Sequence, residues 1–297
     1  MVAERGSGLY TEIHLEIPSL LTDAVCNYII ETTGSGLVLE EEEGSDHTGI
    51  KFYLPGGDQT AFRDKLNAYL SSLVDMKAGL SLIPEIREKA IKAIEWEEAY
   101  RSSVQPLVVA GDIAIRPPWK DRPAGARYDL IIEPRMAFGT GSHESTRGCL
   151  VAIREKLRAG MRFLDVGCGS GILSILADRM GASYIKAVDT DVLAVENCGE
   201  NFLINSVNAP HDIVHGSIAA CRGDDPYDFV CVNIIKSTIL DMLAELESLT
   251  APGGYLVLAG LLDNDEPEMV DQLDASGLKE FEVAADGEWR TFTVRKT

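Results

Sequence analysis

The sequence predicts a two-domain α/β protein, in which a small α+β domain precedes a larger domain built on a mostly parallel sheet. From Phe163 onward, short apolar runs alternate with helical patterns, as in parallel sheets covered by helices on both faces. The turn signal Asp286-Gly287 near the end of the chain predicts an antiparallel hairpin. The length of 297 residues suits two domains. We place them at residues 1–84 and 126–297, joined by a connection over 85–125.

The N-terminal domain is predicted from five short elements. Strands are indicated where apolar and polar residues alternate, and helices where apolar residues recur at helical spacing. The predicted elements are strand Tyr10–Ile17, helix Ser19–Thr33, strands Gly36–Glu42 and Gly49–Leu54, and helix Ala61–Leu73. This order suggests a ferredoxin-like α+β domain.

The connection over residues 85–125 is predicted to begin with a helix. Glu85–Arg101 reads as a charged amphipathic helix that carries Trp96. A proline-bearing stretch follows, which is typical of a segment between domains.

The C-terminal domain is predicted to contain five parallel strands and a final hairpin. The strands are Phe163–Val166, Tyr184–Val188, His211–His215, Phe229–Asn233 and Tyr255–Ala259, with helices Ile172–Met180 and Val192–Asn205 and hairpin strands Lys279–Ala284 and Glu288–Arg295. Gly181 is predicted to end the first of these helices. An antiparallel hairpin that closes an otherwise parallel sheet is the shape of the class I methyltransferase fold, a Rossmann-like sheet of seven strands.

The composition indicates which binding partners and which cellular compartment to expect. The chain has 27 Lys and Arg against 47 Asp and Glu, a formal net charge of −20. Such a surface disfavours direct binding of nucleic acid and attracts a basic protein, although the simpler interpretation is that the acidity serves solubility alone. Six irregularly spaced cysteines, with no C-x-x-C pair, indicate free thiols in a reducing cytoplasm. We predict no membrane segment and no metal site, and we expect a monomer.

The segment Asp165–Gly171 (DVGCGSG) follows a predicted strand and opens a helix, the position where open α/β sheets bind ligands. Its G-x-G-x-G spacing departs from the dinucleotide pattern, because Ile172 stands where that pattern requires glycine. Asp165 is expected to point towards the ligand, where it would repel a pyrophosphate. S-adenosylmethionine has no phosphate and carries two positive groups. The loop, with Gly167 and Gly169 as binding residues, therefore favours S-adenosylmethionine over NAD.

Asp189 is expected to bind the cofactor ribose. It ends the second strand, 22 residues after Gly167, where a carboxylate can accept both ribose hydroxyls. Asp191 could compete for that role or cap the following helix. We assign Asp189 to the ribose and Asp191 to the cap.

Four segments resemble the ribosomal protein L-eleven methyltransferases of the PrmA type. The match covers roughly residues 95–297. The four segments are EPRMAFGTGSHEST (133–146), LDVGCGSGIL (164–173), AVDTD (187–191) and VNII (232–235). The resemblance implies a protein-lysine methyltransferase that methylates lysine and N-terminal amines of that ribosomal protein, with the N-terminal domain recognising the substrate. It also implies that Thr146, Gly167, Asp189 and Asn233 bind the cofactor.

The chain departs from the family pattern mildly. Arg135 replaces a glycine before the AFGTG segment, and this residue could alter the shape of the loop. Ser145-Thr146 stands where the family has Thr-Thr, and Val232 precedes Asn233 where the family has Ala.

No single residue is assigned as catalytic. Phe138 could contact the cofactor or fill the core, and His143 is taken as a structural loop residue in preference to a base. Thr146 could bind the amino-acid end of the cofactor or cap a helix. Asn233 could hold the acceptor amine in line with the sulfonium, or cap the helix that follows it.

The predicted reaction is direct transfer of methyl from the sulfonium to an amine nitrogen. Three alternatives stay open: a methyltransferase for a different protein lysine, one for a glutamine amide, and a non-catalytic binding module of the same fold. The VNII segment lacks the Asn-Pro-Pro-Tyr form associated with amide acceptors. An NAD-dependent oxidoreductase is disfavoured by Ile172 and Asp165.

Overall fold

The computed structural model describes residues 9–33, 37–41, 45–55, 58–76, 86–92, 101–102, 104–133 and 141–297. The chain divides into two compact units, Met1–Val104 and Gln105–Thr297. Residues 105–125, which we expected in a separate connection, therefore belong to the second unit. No helix in the described part of the chain is long and apolar enough to cross a membrane.

In the residues that the structure describes, the N-terminal unit contains a four-stranded antiparallel sheet and two complete helices. Its elements are β1 (Leu9–Pro18), a 3₁₀ turn (Ser19–Leu21), α1 (Thr22–Thr33), β2 (Leu37–Glu41), β3 (His47–Pro55), α2 (Thr60–Met76) and β4 (Ile86–Lys92). The strand order is β2-β3-β1-β4. Alternate residues of β1 and β3 enter a core shared with both helices, because successive side chains of a strand point to opposite faces. The predicted element order is present, and the ferredoxin-like classification stays a prediction.

The helix predicted over Glu85–Arg101 is wrong for its first part. Ile86–Lys92 is a strand that pairs with β1 at the edge of the sheet. Charged residues at close spacing suggest an amphipathic helix, yet the same residues suit an edge strand, where charge discourages pairing with other chains. Trp96 and its neighbours lie outside the described residues.

The second unit contains a seven-stranded sheet with helices on both faces. A small sheet precedes it, formed by β5 (Leu107–Val109), β6 (Ile113–Arg116) and β7 (Tyr128–Ile131). The rest runs α3 (Glu144–Lys156), β8 (Arg162–Val166), α4 (Ile172–Arg179), β9 (Tyr184–Asp189), α5 (Val192–Asn205), β10 (His211–His215), β11 (Tyr227–Asn233), α6 (Lys236–Leu249), β12 (Thr250–Leu262), α7 (Glu266–Ala275), β13 (Phe281–Asp286) and β14 (Trp289–Arg295).

The order of the large sheet is β10-β9-β8-β11-β12-β14-β13. The first five of these strands are parallel, and β13 and β14 join antiparallel. The predicted Rossmann-like sheet closed by a hairpin is therefore confirmed. Gly181 follows α4 with φ +88°, as predicted for a residue that ends a helix.

Each face of the large sheet packs against its own apolar core. On one face, Phe163 and Phe229 pack with side chains of α3, α4 and α5. On the other, Leu164 and Val230 pack with α6 and α7. Burial on both faces explains why these strands are continuous apolar runs in the sequence. The chain moves outward from β8 through β9 to β10 and then returns to β11, so the sheet has a topological switch point between β8 and β11.

Candidate active site

A cavity of about 600 Å³ lies at the switch point. Its lining includes the last residues of three adjacent parallel strands, Val166, Asp189 and Asn233. Ligands of open α/β sheets bind at the carboxyl ends of the strands at such a point, and cavities of roughly 300–1,000 Å³ hold small molecules and cofactors. The cavity is therefore the candidate active site.

The glycine loop forms one side of this cavity through Gly167 and Gly169. Both have positive φ angles, +75° and +52°, which favour glycine. A Cβ atom on Gly167 would lie 2.4 Å from Cγ2 of Ile234, so the loop can pass this residue only without a side chain. The N–H groups of Gly167 and Cys168 donate to the Val188 carbonyl at 2.9 and 3.1 Å, which joins the loop to β9.

Asp189 lies on the cavity with both carboxylate oxygens oriented by the backbone. Oδ2 accepts a hydrogen bond from the Gly169 N–H at 2.9 Å, and Oδ1 accepts one from the Asp191 N–H at 3.0 Å. A carboxylate oxygen has room for a second donor. Asp189 thus keeps the glycine loop beside the end of β9 and can still accept hydroxyl groups from a ligand.

Asp191 caps α5, as predicted. Its side chain accepts a hydrogen bond from the Leu193 N–H at 2.9 Å. It also contributes to the lining of the cavity.

Asp165 does not point towards the ligand, and this expectation from the sequence was wrong. The carboxylate is buried and accepts a hydrogen bond from Ser174 Oγ at 2.7 Å on α4. Because side chains alternate along β8, Val166 faces the cavity and Asp165 faces the opposite side. Burial raises the pKa of Asp165 to about 7. Its carboxyl group therefore joins β8 to α4, and the argument that it repels a pyrophosphate does not hold.

Asn233 and Thr146 are brought together from positions 87 residues apart. Asn233 Nδ2 donates to Thr146 Oγ1 at 3.3 Å. Asn233 lines the cavity, whereas Thr146 is buried behind it, with 1% of its surface exposed. Neither caps a helix, because α3 is capped by His143 and the residue before α6 is Ile235. The capping alternatives for both residues are thereby removed.

His143 has the structural role that the sequence suggested. Its Nδ1 accepts from the Ser145 N–H at 3.2 Å and lies 2.7 Å from Ser145 Oγ, which caps α3. The imidazole also packs edge-on against Trp289 of β14, with 4.4 Å between ring centroids. Both rings line the cavity. We call these two side chains the His143–Trp289 wall.

Several cavity residues were missed by the sequence reasoning. Gly260 has φ +84°, and a Cβ there would lie 2.3 Å from the carbonyl oxygen of Ile234. A glycine inside an apolar strand is the available signal for such a close approach of backbones. Trp289 lies in the strand that follows the predicted hairpin turn. Only the pairing of this strand within the sheet brings its side chain to the cavity. Arg135, Phe138 and Gly139 lie outside the described residues.

The residues present fit S-adenosylmethionine. The cavity combines a carboxylate at Asp189 with backbone at Gly167 and Gly169 and with apolar walls from Ile218 and Met242. A nucleoside needs one hydrogen-bonding group for its ribose and an apolar slot for its base. This fold and this site are those of a class I methyltransferase.

Comparisons with known proteins agree with this assignment to the methyltransferases. The model of the family "Ribosomal protein L11 methyltransferase (PrmA)" matches residues 9–297. A relative of that name from Nitratiruptor is 36% identical over 283 residues, which cover 94% of this chain and 91% of the relative. One from Geotalea daltonii is 30% identical over 310 residues, covering 96% and 98%. The chain belongs to the ribosomal protein L11 methyltransferase family and is an S-adenosylmethionine-dependent methyltransferase.

A solved structure shares the fold. The ribosomal protein L11 methylase of Lactobacillus delbrueckii subsp. bulgaricus superposes with a TM-score of 0.58 at 24% identity. The match covers 65% of this chain and the whole of that one.

Proposed function

We propose that this enzyme methylates lysine and N-terminal amines of ribosomal protein L11. The observation that carries the proposal is the orientation of Asn233. Its amide nitrogen donates to Thr146 Oγ1 and the residue lines the cavity, so its amide oxygen can serve as the acceptor for a ligand. An acceptor amine can donate one N–H to that oxygen, and its lone pair then stays available to attack the methyl group. The family name and the relatives support the protein substrate.

The cofactor is proposed to bind through Asp189, Gly167 and Gly169. Asp189 would accept the ribose hydroxyls, and the glycine loop would allow the ligand a close approach because it lacks side chains there. Thr146 and Asn233 complete the set as one hydrogen-bonded pair. S-adenosylmethionine supplies a methyl group made electrophilic by its sulfonium.

The protein must present the acceptor as a neutral amine. A lysine amine has an ordinary pKa of about 10.4, and its protonated form has no lone pair to attack. Removing the amine from water into a cavity with apolar walls lowers that pKa. Asn233 then orients the amine by accepting a hydrogen bond, and it does so without a charge that would favour the ammonium form. Proximity and orientation therefore supply much of the rate.

Charge is proposed to assist the encounter with the substrate. The net charge of −20 attracts a basic protein at long range and opposes contact with nucleic acid backbones. We assign recognition of the substrate to the N-terminal unit, and we place the enzyme in the cytoplasm as a monomer.

Mass spectrometry of purified L11 after incubation with enzyme and cofactor tests the proposal. Added methyl groups on lysines and the N-terminus are expected. Asn233→Ala is expected to lower kcat by on the order of 100-fold, because the acceptor loses its orientation. Thr146→Val should give a smaller loss, because it removes only the partner that orients the amide.

Two of the alternatives predict different outcomes. Methyl transfer to other ribosomal proteins with none to L11 would assign a different lysine substrate. Tight binding of S-adenosylmethionine with no transfer to any protein would indicate a non-catalytic module. Either outcome would overturn the proposed function.

A further inference from the structure

Arg147 connects the start of α3 to the tip of the β13–β14 hairpin, beside the cavity. Its Nε donates to Asp286 Oδ2 at 2.9 Å, and Nη2 lies 2.8 Å from the same oxygen. Nη2 also donates to Glu144 Oε1 at 3.0 Å, and Nη1 donates to the carbonyl oxygen of Ser142. One guanidinium therefore joins the residues before α3, the first turn of α3 and the tip of the β13–β14 hairpin.

These contacts lie directly beside the His143–Trp289 wall. His143 stands between Ser142 and Glu144, both of which contact Arg147. Trp289 is paired in register with Asp286 across the hairpin turn. The two rings of the wall thus belong to two segments that Arg147 holds together. Arg147 itself does not line the cavity.

Helix stability does not explain a basic residue at this position. Arg147 lies in the first turn of α3, where the helix dipole disfavours a positive charge. A single exposed ion pair offsets little of that cost, whereas a planar fork with several partners fixes geometry. The contact is suited to setting the relative position of its partners.

We propose that Arg147 is a positioning residue, which holds the His143–Trp289 wall in the geometry that the methyl-transfer cavity requires. The kinetic part of this inference rests on the proposed function. Without Arg147, the hairpin tip is free to move relative to the start of α3, and Trp289 moves with it. A displacement of about 1 Å in an active site costs on the order of 100-fold in rate.

The chain offers a matched control on the same two elements. Lys156, at the end of α3, donates to Glu282 of β13 at 2.9 Å. This pair joins the same helix to the same strand, and neither residue lines the cavity. It lies nine residues further along α3, about 13 Å in a helix. Lys156→Met therefore removes an ion pair between helix and hairpin but leaves the wall in place.

The experiment compares Arg147→Met, Arg147→Lys and Lys156→Met in the full-length enzyme. Arg147→Met is expected to lower kcat by roughly 10- to 100-fold, with Lys156→Met close to wild type. Arg147→Lys keeps the charge but loses the fork, so its loss should be intermediate. Asp286→Ala combined with Arg147→Met should lose no more than Arg147→Met alone, because Arg147→Met already breaks the contact that Asp286→Ala removes.

A fluorescence measurement separates this inference from the proposed function, because it needs no substrate. With Trp96 and Trp119 replaced by Phe, Trp289 is the sole tryptophan. Arg147→Met should make its emission more accessible to acrylamide, and Lys156→Met should not. If Arg147→Met and Lys156→Met give the same quenching and the same kinetics, Arg147 is merely structural and the inference is overturned. Should Arg147→Met fail to fold, Asp286→Ala removes the acceptor on the hairpin side and leaves the Arg147 contacts to Glu144 and Ser142 in place. It is expected to change kcat and quenching in the same direction.

Discussion

Replacing Asp189 by Ala tests the ribose assignment. The change removes a carboxylate that accepts two backbone hydrogen bonds, from Gly169 at 2.9 Å and Asp191 at 3.0 Å. It should therefore weaken the glycine loop as well as remove the acceptor for the ribose. The two effects must be separated before a loss of affinity is attributed to direct contact with the cofactor.

The size of the expected effect follows from these hydrogen bonds. A hydrogen bond to a charged group contributes about 1.5–3 kcal/mol, and much of a lost bond is regained from water in the mutant. We expect cofactor binding to weaken by roughly 1–3 kcal/mol, which is about 5- to 150-fold in Kd. Titration calorimetry with S-adenosylmethionine measures this directly.

Asp178→Ala is the matched control. Asp178 Oδ1 also accepts two backbone hydrogen bonds, from Asn208 and Ala209 at 2.9 Å each, and the residue does not line the cavity. Its loss should lower the free energy of unfolding without changing the Kd for the cofactor. If both variants bind the cofactor as the wild type does, Asp189 does not hold the ribose. If both weaken binding equally, Asp189 acts only through stability.

Three further predictions follow from the packing at the site. Gly260→Ala should lower the free energy of unfolding by about 1–3 kcal/mol in denaturant titrations, since its Cβ meets the Ile234 backbone at positive φ; unchanged stability would contradict the close approach. The pKa of Asp165 is raised to about 7 from an ordinary 3.8, so the folded state holds this proton more tightly than the unfolded state does. The protonated carboxyl group therefore contributes to the free energy of unfolding below pH 4, and this contribution is lost as the pH rises through 7. Relative to Asp165→Asn, the wild type should lose on the order of 4 kcal/mol across that window, and parallel stability curves would refute the shift. Ser174→Ala should raise that pKa further, because its hydroxyl donates to the ionised carboxylate; chemical shift titration of the Asp165 carboxyl carbon would show no increase if the contact were absent.

The inner parallel strands were predictable because they are buried on both faces, and Phe163–Val166 and Phe229–Asn233 were placed within two residues of the observed strands. The exposed edge strand His211–His215 was predicted with the bounds that the structure shows, and the hairpin around Asp286-Gly287 was placed within two residues. The edge strand Ile86–Lys92 was not, because its charged residues satisfy a helical pattern as well as an exposed strand. Only its pairing with β1 distinguishes the two.

The candidate site shows the same division between local and non-local information. Asp189 and Asn233 could be predicted because each follows an apolar strand, and parallel strands end at one edge of a sheet. Asp165 was misjudged because proximity in sequence to Gly167 does not determine which face of a strand a side chain occupies. One residue of register reverses that direction.

The His143–Trp289 wall extends this argument to residues that no local motif connects. Trp289 reaches the cavity only because β14 pairs antiparallel with β12 and inserts between β12 and β13. The hairpin that completes the seven-stranded sheet therefore also places a side chain at the candidate active site. A substitution at its exposed tip, such as Asp286→Ala, should then act on catalysis through geometry, although the residue itself does not line the cavity. The structure thus assigns the last two strands a share in building the site as well as in completing the sheet.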